Sequence, residues 1–396
     1  MMTPGALSGI RVIESTQHLA GPSCAMFLAD MGAEVIKIER PGQGDASRIL
    51  GKLQNGESPM YTVLNRNKLG MTLNYKDPRA IKIFMELAAE SDIIVENNRA
   101  GVMDRLGLGY DAVKQVNPKM IYASLSGFGQ SGPYRDRGGY DIIAQGMSGI
   151  MSATGNPGAP PAKAGVPIID IGTGLFTAYG ILSAYIHRQR TGEGQYLDMA
   201  LLDCAIAFSM WESAAVFSGG EVPSPFGSMH RRNQPHGAFK TQDGYFCIAA
   251  DQQHHWKRFC ELAGLEELID DPRFATNRDR VEHLEELQEA MEVALVHKTS
   301  NEWNDILSAE GIPCGPVYRY DQVFDDPHVQ HRQMAVDVDH PKAGPITITN
   351  TPLKLSQTPG QVRMPAPTLS QHTDEILRRL GYDDATVEQY HDEGVV

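Results

Sequence analysis

The sequence predicts an α/β protein with a Rossmann-like parallel sheet. Two observations carry this. Short β-rich runs alternate with helix-period runs through the first third of the chain, and Gly and Pro punctuate the joints between them. Length adds a third: 396 residues exceed one ordinary core and suggest two or three domains.

Residues 10–14 are a β-rich run, followed by a Gly21-Pro22 turn and a helical pattern over 23–31. Residues 34–39 (EVIKIE) alternate apolar and polar as a strand does. A helical period over 80–89 precedes a strand at 92–96, and a helix over 110–116 precedes a strand at 120–124. The stretch 127–139 (GFGQSGPYRDRGG) must be a loop, and a loop this long is more often functional than idle. Residues 172–188 read as one long apolar helix.

The pattern breaks at 223–237. Beyond it a strand at 245–250 and helices over 253–263, 284–297 and 301–310 suggest a smaller domain at 226–325. The expected layout is a large first part at 1–195, a linker helix at 196–225, the small domain, and a return segment at 326–396. That segment alternates again at 346–351 and ends in a helix over 373–380.

Apolar content of 41% and charged content of 21% are ordinary for a globular chain. A net charge of −14 makes nucleic acid and anionic membranes poor partners. A few local cations can still hold a small anion. Five cysteines without a Cys-x-x-Cys pair speak against a disulfide framework or thiolate zinc site, and so for a reducing, cytoplasmic location. No signal peptide is expected. The apolar stretch 166–186 carries Pro167 and Asp170 near its start, and its remainder beyond Asp170 is shorter than the ~20 residues that span a bilayer. His254 and His255 lack metal-ligand spacing and read as structural; no metal is expected.

A Rossmann sheet invites a dinucleotide, and Glu39 sits where a ribose-binding acid would. The first loop, Thr16 to Pro22, argues against it. It has one glycine where the fingerprint needs three, and Pro22 removes an N–H that a pyrophosphate would seek. Arg40, next to Glu39, suits a phosphorylated adenosine, or is simply a solvated strand end.

Asp170 lies between an apolar run and the long helix. At a helix N-terminus its carboxylate would be held in the charged form by the dipole, and Gly172 and Gly174 would let a substrate approach closely. Such a carboxylate can attack a thioester carbonyl. It can equally be an ordinary N-cap.

Several motifs occur together and in order: Leu19-Ala20-Gly21-Pro22, the run 32–39 (GAEVIKIE), Gly42-x-Gly44-Asp45, Val95-Glu96-Asn97 and the run 124–132 (SLSGFGQSG). Tyr140-Asp141-x-x-x-Gln145, Asp170-x-x-Thr173-Gly174 and the run 311–317 (GIPCGPV) come after them. On these the chain resembles the class III CoA-transferases, the family of formyl-CoA transferase, carnitine CoA-transferases and α-methylacyl-CoA racemases, over almost its whole length.

The resemblance implies a large Rossmann-like domain built from both chain ends, a small α+β domain, and an interlocked-ring homodimer. It implies Asp170 as the nucleophile, carrying CoA as an aspartyl thioester between carboxylic acids, with acyl-CoA as substrate and no tightly bound cofactor. By residue matching, His18, Leu19, Ala20, Arg40, Leu73, Asn97, Asn98, Val102 and Arg105 line the CoA site, and Gln17, Tyr140, Gly172, Arg231 and Arg232 the substrate pocket. Racemases of the family carry His where Tyr140 stands. A tyrosine of ordinary pKa near 10 is a poor base at neutral pH, which favours transfer over racemisation. The alternatives are an α-methylacyl-CoA racemase or epimerase and, behind it, a CoA-binding module without chemistry.

Overall fold

The structure, a computed structural model, describes residues 5–396. Six strands form one sheet: β1 (Arg11–Ser15), β2 (Glu34–Glu39), β3 (Lys68–Thr72), β4 (Ile93–Glu96), β5 (Ile121–Ser126) and β6 (Tyr196–Ala200). Their order is β3-β2-β1-β4-β5-β6, and every pairing is parallel. This is the doubly wound order, and it reverses direction between β1 and β4. Val12, Ile13, Ile36, Ile94 and Ala123 are buried, as strands covered on both faces require.

Two runs gave no strand signal. Lys68–Thr72 (KLGMT) holds a lysine and a glycine, and Tyr196–Ala200 (YLDMA) a central aspartate. Their pairing with β2 and β5 overrides poor local propensity. The stretch 196–225, expected as a linker helix, therefore opens with the sixth strand of the sheet and continues as two short helices, Leu201–Phe208 and Met210–Phe217.

Helix Ala20–Asp30 covers one face of the sheet and packs on the long helix Ile168–Thr191. A Cβ on Gly174 would lie 2.2 Å from Ser23 Oγ and 2.8 Å from the Ala20 carbonyl oxygen, so only glycine allows this approach. The C-terminal segment returns to the β3 edge. There Gly70 N–H donates to His372 Nδ1 (3.0 Å) and Thr72 N–H to Thr373 Oγ1 (3.1 Å).

Two compact units divide the chain. One holds the residues up to Ile150, Lys163–Ala214 and His328–Val396; the other holds Met151–Ala162 and Ala215–Pro327. The second unit has an antiparallel sheet of β7 (His236–Lys240), β8 (Tyr245–Ala249) and β9 (Cys314–Pro316), over a core that includes Phe239, Phe246, Trp256, Phe259 and Trp303. The first unit also carries the hairpin β10 (Ala335–His340) and β11 (Gly344–Thr349).

Candidate active site

The crevice at the sheet's switch point is where doubly wound folds bind ligands, and the loops after β1 and β4 flank it here. Two cavities open there. One, of about 240 Å³, is lined by Gln17, Arg40, Leu73, Asn74, Lys76 and Asn98 among others. The other, of about 400 Å³, is lined by Gln17, His18, Leu19, Ala20, Asn97, Asn98, Tyr140 and Asp170, with the 138–139 glycine pair and Arg99, Arg135 and Arg137. Gln17 and Asn98 belong to both.

The loop 127–139 reaches this cavity because its neck is closed by two glycines. A Cβ on Gly127 would lie 2.5 Å from Gly139 Cα, so no larger residue fits at this crossing. Tyr140 then starts the helix Asp141–Met147 with its own side chain 69% exposed.

Asp170 sits in the first turn of Ile168–Thr191, but it does not cap that helix. Asp141 does so from 29 residues away: its Oδ2 accepts from Ile169 N–H (2.8 Å) and Asp170 N–H (3.2 Å). Gln145 Nε2 donates to the other Asp141 oxygen, and Gln145 Oε1 accepts from Ala164 N–H (2.9 Å). The Tyr140-Asp141-x-x-x-Gln145 motif is thus the brace of the segment that carries Asp170.

This overturns the expectation that the helix dipole keeps Asp170 charged. The N–H groups at the helix start are already taken, and they are taken by a second carboxylate. Burial, then the charge of Asp141, push the Asp170 carboxyl up to about 7. Among the described residues no group hydrogen-bonds or ion-pairs with the Asp170 carboxylate, although it is partly buried. A carboxyl in that state is a candidate reagent rather than a structural group.

Glu39 is not available to a ribose. Its two oxygens take Asp45 N–H (2.8 Å), Arg48 Nε (2.8 Å) and Nη2 (2.6 Å), and the Tyr61 hydroxyl (3.1 Å). Gly172 is not open to a substrate either: a Cβ there would lie 2.1 Å from the Phe208 ring, so this glycine serves packing. Val102 and Arg105, on the helix Val102–Arg105, line neither cavity. Arg105 and Arg135 do approach each other: a Cβ on Gly101 would lie 3.3 Å from Arg105 Nη1 and 3.0 Å from Arg135 Nη2.

Arg231 and Arg232 lie in the other unit. The Arg231 guanidinium donates to the carbonyls of Ser224 and Ala153. Arg232 is exposed, on a loop fastened by Asn277 Nδ2 to the Arg232 carbonyl (2.9 Å), Gln234 N–H to Asn277 Oδ1 (2.8 Å) and the buried Arg280 Nε to the Gln234 carbonyl (2.7 Å).

Sequence reasoning passed over Arg99, Arg135 and Arg137. None of them forms an ion pair among the described residues, and all face the Asp170 cavity. In a chain of net charge −14, unpaired guanidinium groups around one cavity make a local anion site. Only their common location marks them, and that depends on the fold.

An α/β switch-point site with an unpartnered carboxyl and a cationic rim is suited to an enzyme acting on an acidic, phosphate-bearing substrate. Comparison with known proteins makes the class specific. CoA-transferase family III matches residues 7–373, so the chain belongs to that family and is an enzyme that transfers CoA. It is 37% identical over 98% of its length, and 90% of the relative's, to the succinyl-CoA:glutarate CoA-transferase of Mus musculus. It is 38% identical to the succinate–glutarate CoA-transferase of Agrobacterium fabrum, covering 94% of this chain and 95% of that one. Among solved structures, a CaiB/BaiF family protein from Brucella suis matches with a TM-score of 0.88 at 34% identity, over 96% of this chain and all of that one.

Proposed function

We propose that this CoA-transferase moves CoA from the acyl-CoA of a dicarboxylic acid to a carboxylic acid acceptor, with Asp170 as covalent carrier. The observation that carries the reading is the Asp170 carboxyl: partly buried, without a hydrogen-bond or ion-pair partner among the described residues, and facing a 400 Å³ cavity beside a glycine pair. A poorly solvated carboxylate is a stronger nucleophile than one in water.

The Asp170 carboxylate attacks the donor thioester carbonyl, CoA thiolate leaves, and a mixed anhydride forms. The thiolate attacks the aspartyl carbonyl and releases the donor acid, leaving an aspartyl-CoA thioester. The acceptor carboxylate displaces the thiolate to form a second anhydride, and the thiolate attacks its acyl carbonyl. The new acyl-CoA departs and Asp170 is regenerated. Backbone N–H groups of the Gly-rich loop suit the developing oxyanions.

Gln17, Arg40, Leu73 and Asn98, around the smaller cavity, suit the adenosine end of CoA. Arg99, Arg135 and Arg137 suit phosphate or the second carboxylate of a dicarboxylic acyl group. Relatives that act on succinate and glutarate favour dicarboxylates.

The second copy implied by the family resemblance has a natural seat. Leu175, Tyr179, Leu182 and Ile186 form an apolar row along the long helix and are 58%, 70%, 37% and 53% exposed. We therefore read the protein as a homodimer, with the interlocked arrangement of the family and a large domain completed by the return segment. That helix is apolar and long enough to cross a membrane, but its other face packs on Ala20–Asp30. The described cysteines are free, which suits a reducing cytoplasm.

The deciding experiment incubates the protein with succinyl-CoA and searches by mass spectrometry for CoA attached to the peptide that holds Asp170. An adduct discharged by glutarate is expected. Transfer by the Asp170→Ala variant at the parent rate would end the proposal.

A further inference from the structure

Thr16, Gln17 and His18 cross the mouth of the crevice, and the backbone of each is held by a side chain from elsewhere in the unit. Lys37 Nζ, from β2, donates to the Thr16 carbonyl (3.1 Å). Asp45 Oδ1 accepts from His18 N–H (3.1 Å). Between them the Asn97 amide, just beyond β4, makes a reciprocal pair with Gln17: its Oδ1 accepts from Gln17 N–H (2.9 Å) and its Nδ2 donates to the Gln17 carbonyl (2.8 Å).

Behind this clamp lies a charge cluster with no solvent exposure. Lys37 pairs with Glu14 (3.0 Å) and Asp45 (2.9 Å), and Lys68 pairs with the other Glu14 oxygen (2.8 Å). Burying ion pairs contributes little net stability, so stability alone is a poor reason for such a cluster. It does hold a strained backbone. His18 is a non-glycine residue at φ 62°, a conformation that persists where its surroundings over-determine it. The clamped loop also forms the shared wall of both cavities through Gln17.

We propose that Asn97 is a positioning residue: its side chain fixes Gln17 against the Asp170 cavity and is not itself a contact for CoA. Each polar end of the amide makes one hydrogen bond to the Gln17 backbone, so the Gln17 pair rather than a ligand sets the orientation of the side chain. The inference rests on the reading of the Asp170 cavity as the place of transfer. Since chemistry at such a site is sensitive to displacements near 1 Å, releasing the clamp acts on turnover more than on substrate binding.

The test is steady-state kinetics with succinyl-CoA and glutarate on Asn97→Ala, Asn97→Ser, Gln17→Ala and the Asn97→Ala/Gln17→Ala double variant. Both Asn97 variants are expected to lower kcat about 10- to 100-fold with less than about a twofold change in KM for succinyl-CoA. The double variant should be no slower than the slower single one, because Asn97 acts through Gln17. A raised KM with unchanged kcat would show a CoA contact and overturn the inference. So would additive losses in the double variant, or no loss at all. Asp170→Ala, run alongside, separates the two claims: if it transfers normally, the site assignment has failed rather than the clamp.

Discussion

Asp45 and Asp170 are the same kind of side chain near the same crevice, yet their surroundings oppose one another. Burial disfavours ionisation at both. At Asp45 the Lys37 ammonium and the N–H groups of Ser47 and His18 more than offset it, and the carboxyl is held down to about 2. At Asp170 nothing offsets it, and Asp141 adds to it, so the carboxyl is pushed up to about 7. A pairing partner turns a buried carboxylate into framework; its absence leaves a reagent.

The sharpest way to break this contrast is Asp170→Asn, which keeps the shape and removes the nucleophile. Transfer should fall by about 10³-fold or more. Stability should move the other way. Folded Asp170 keeps its proton up to about 7, whereas an ordinary aspartate loses it near 3.8. Between those values the folded state binds more protons, so stability falls as pH rises through the window, and the full cost is present above pH 7. The variant should therefore be more stable at pH 8, by a few kcal/mol at most, and the gain should vanish near pH 4. Urea unfolding at both pH values reads this, and a variant equally or less stable at pH 8 would count against an unpartnered carboxyl.

Asp45→Ala tests the other arm. It leaves the Lys37 ammonium with one carboxylate fewer in a site without solvent, and should cost about 3–5 kcal/mol in urea unfolding at neutral pH. Since Asp45 is depressed on folding, its contribution is present above pH 4 and is lost as pH falls towards 2. A loss below about 1 kcal/mol would mean that the cluster tolerates an unpaired lysine, and the contrast with Asp170 would weaken.

Much of this was legible in the residues and some was not. Strands β1, β2, β4 and β5 carry β-rich runs, so the parallel sheet followed from pattern, and the Asp170 motif stood out within its family's order of markers. β3 and β6 did not, because pairing rather than propensity makes them strands. The Asp141 motif was visible but its task was not: the contact from Asp141 to Ile169 and Asp170 spans almost thirty residues and exists only once the chain has folded. Gly172 illustrates the reverse error. A glycine beside a reactive residue suggested room for substrate, and the room is filled by Phe208.

Asp141→Asn separates the two causes acting on Asp170. The amide keeps an oxygen for the helix N–H groups and removes the charge. Since the like charge ranks behind burial as a cause, the shift should be modest: the acid limb of kcat/KM for succinyl-CoA, centred near pH 7 in the parent, should move down by less than about one unit. A limb that stays in place would mean that burial acts alone. One that moves up would mean that Asp141 stabilises the charged form.

The smallest effect belongs to Gly172→Ala, and its value lies in what it leaves alone. If the glycine serves packing, the added methyl meets the Phe208 ring, which is 41% exposed and packs on Phe176, and displacing that ring should cost about 1–2 kcal/mol in unfolding. Combining it with Phe208→Leu, which clears the space, should recover most of what Gly172→Ala loses relative to Phe208→Leu alone. Turnover should stay within about threefold of the parent, because the methyl meets Phe208, and neither Gly172 nor Phe208 lines the cavity that holds Asp170. A collapse of kcat without a loss of stability would return Gly172 to the substrate and leave Phe208 as part of the acyl pocket.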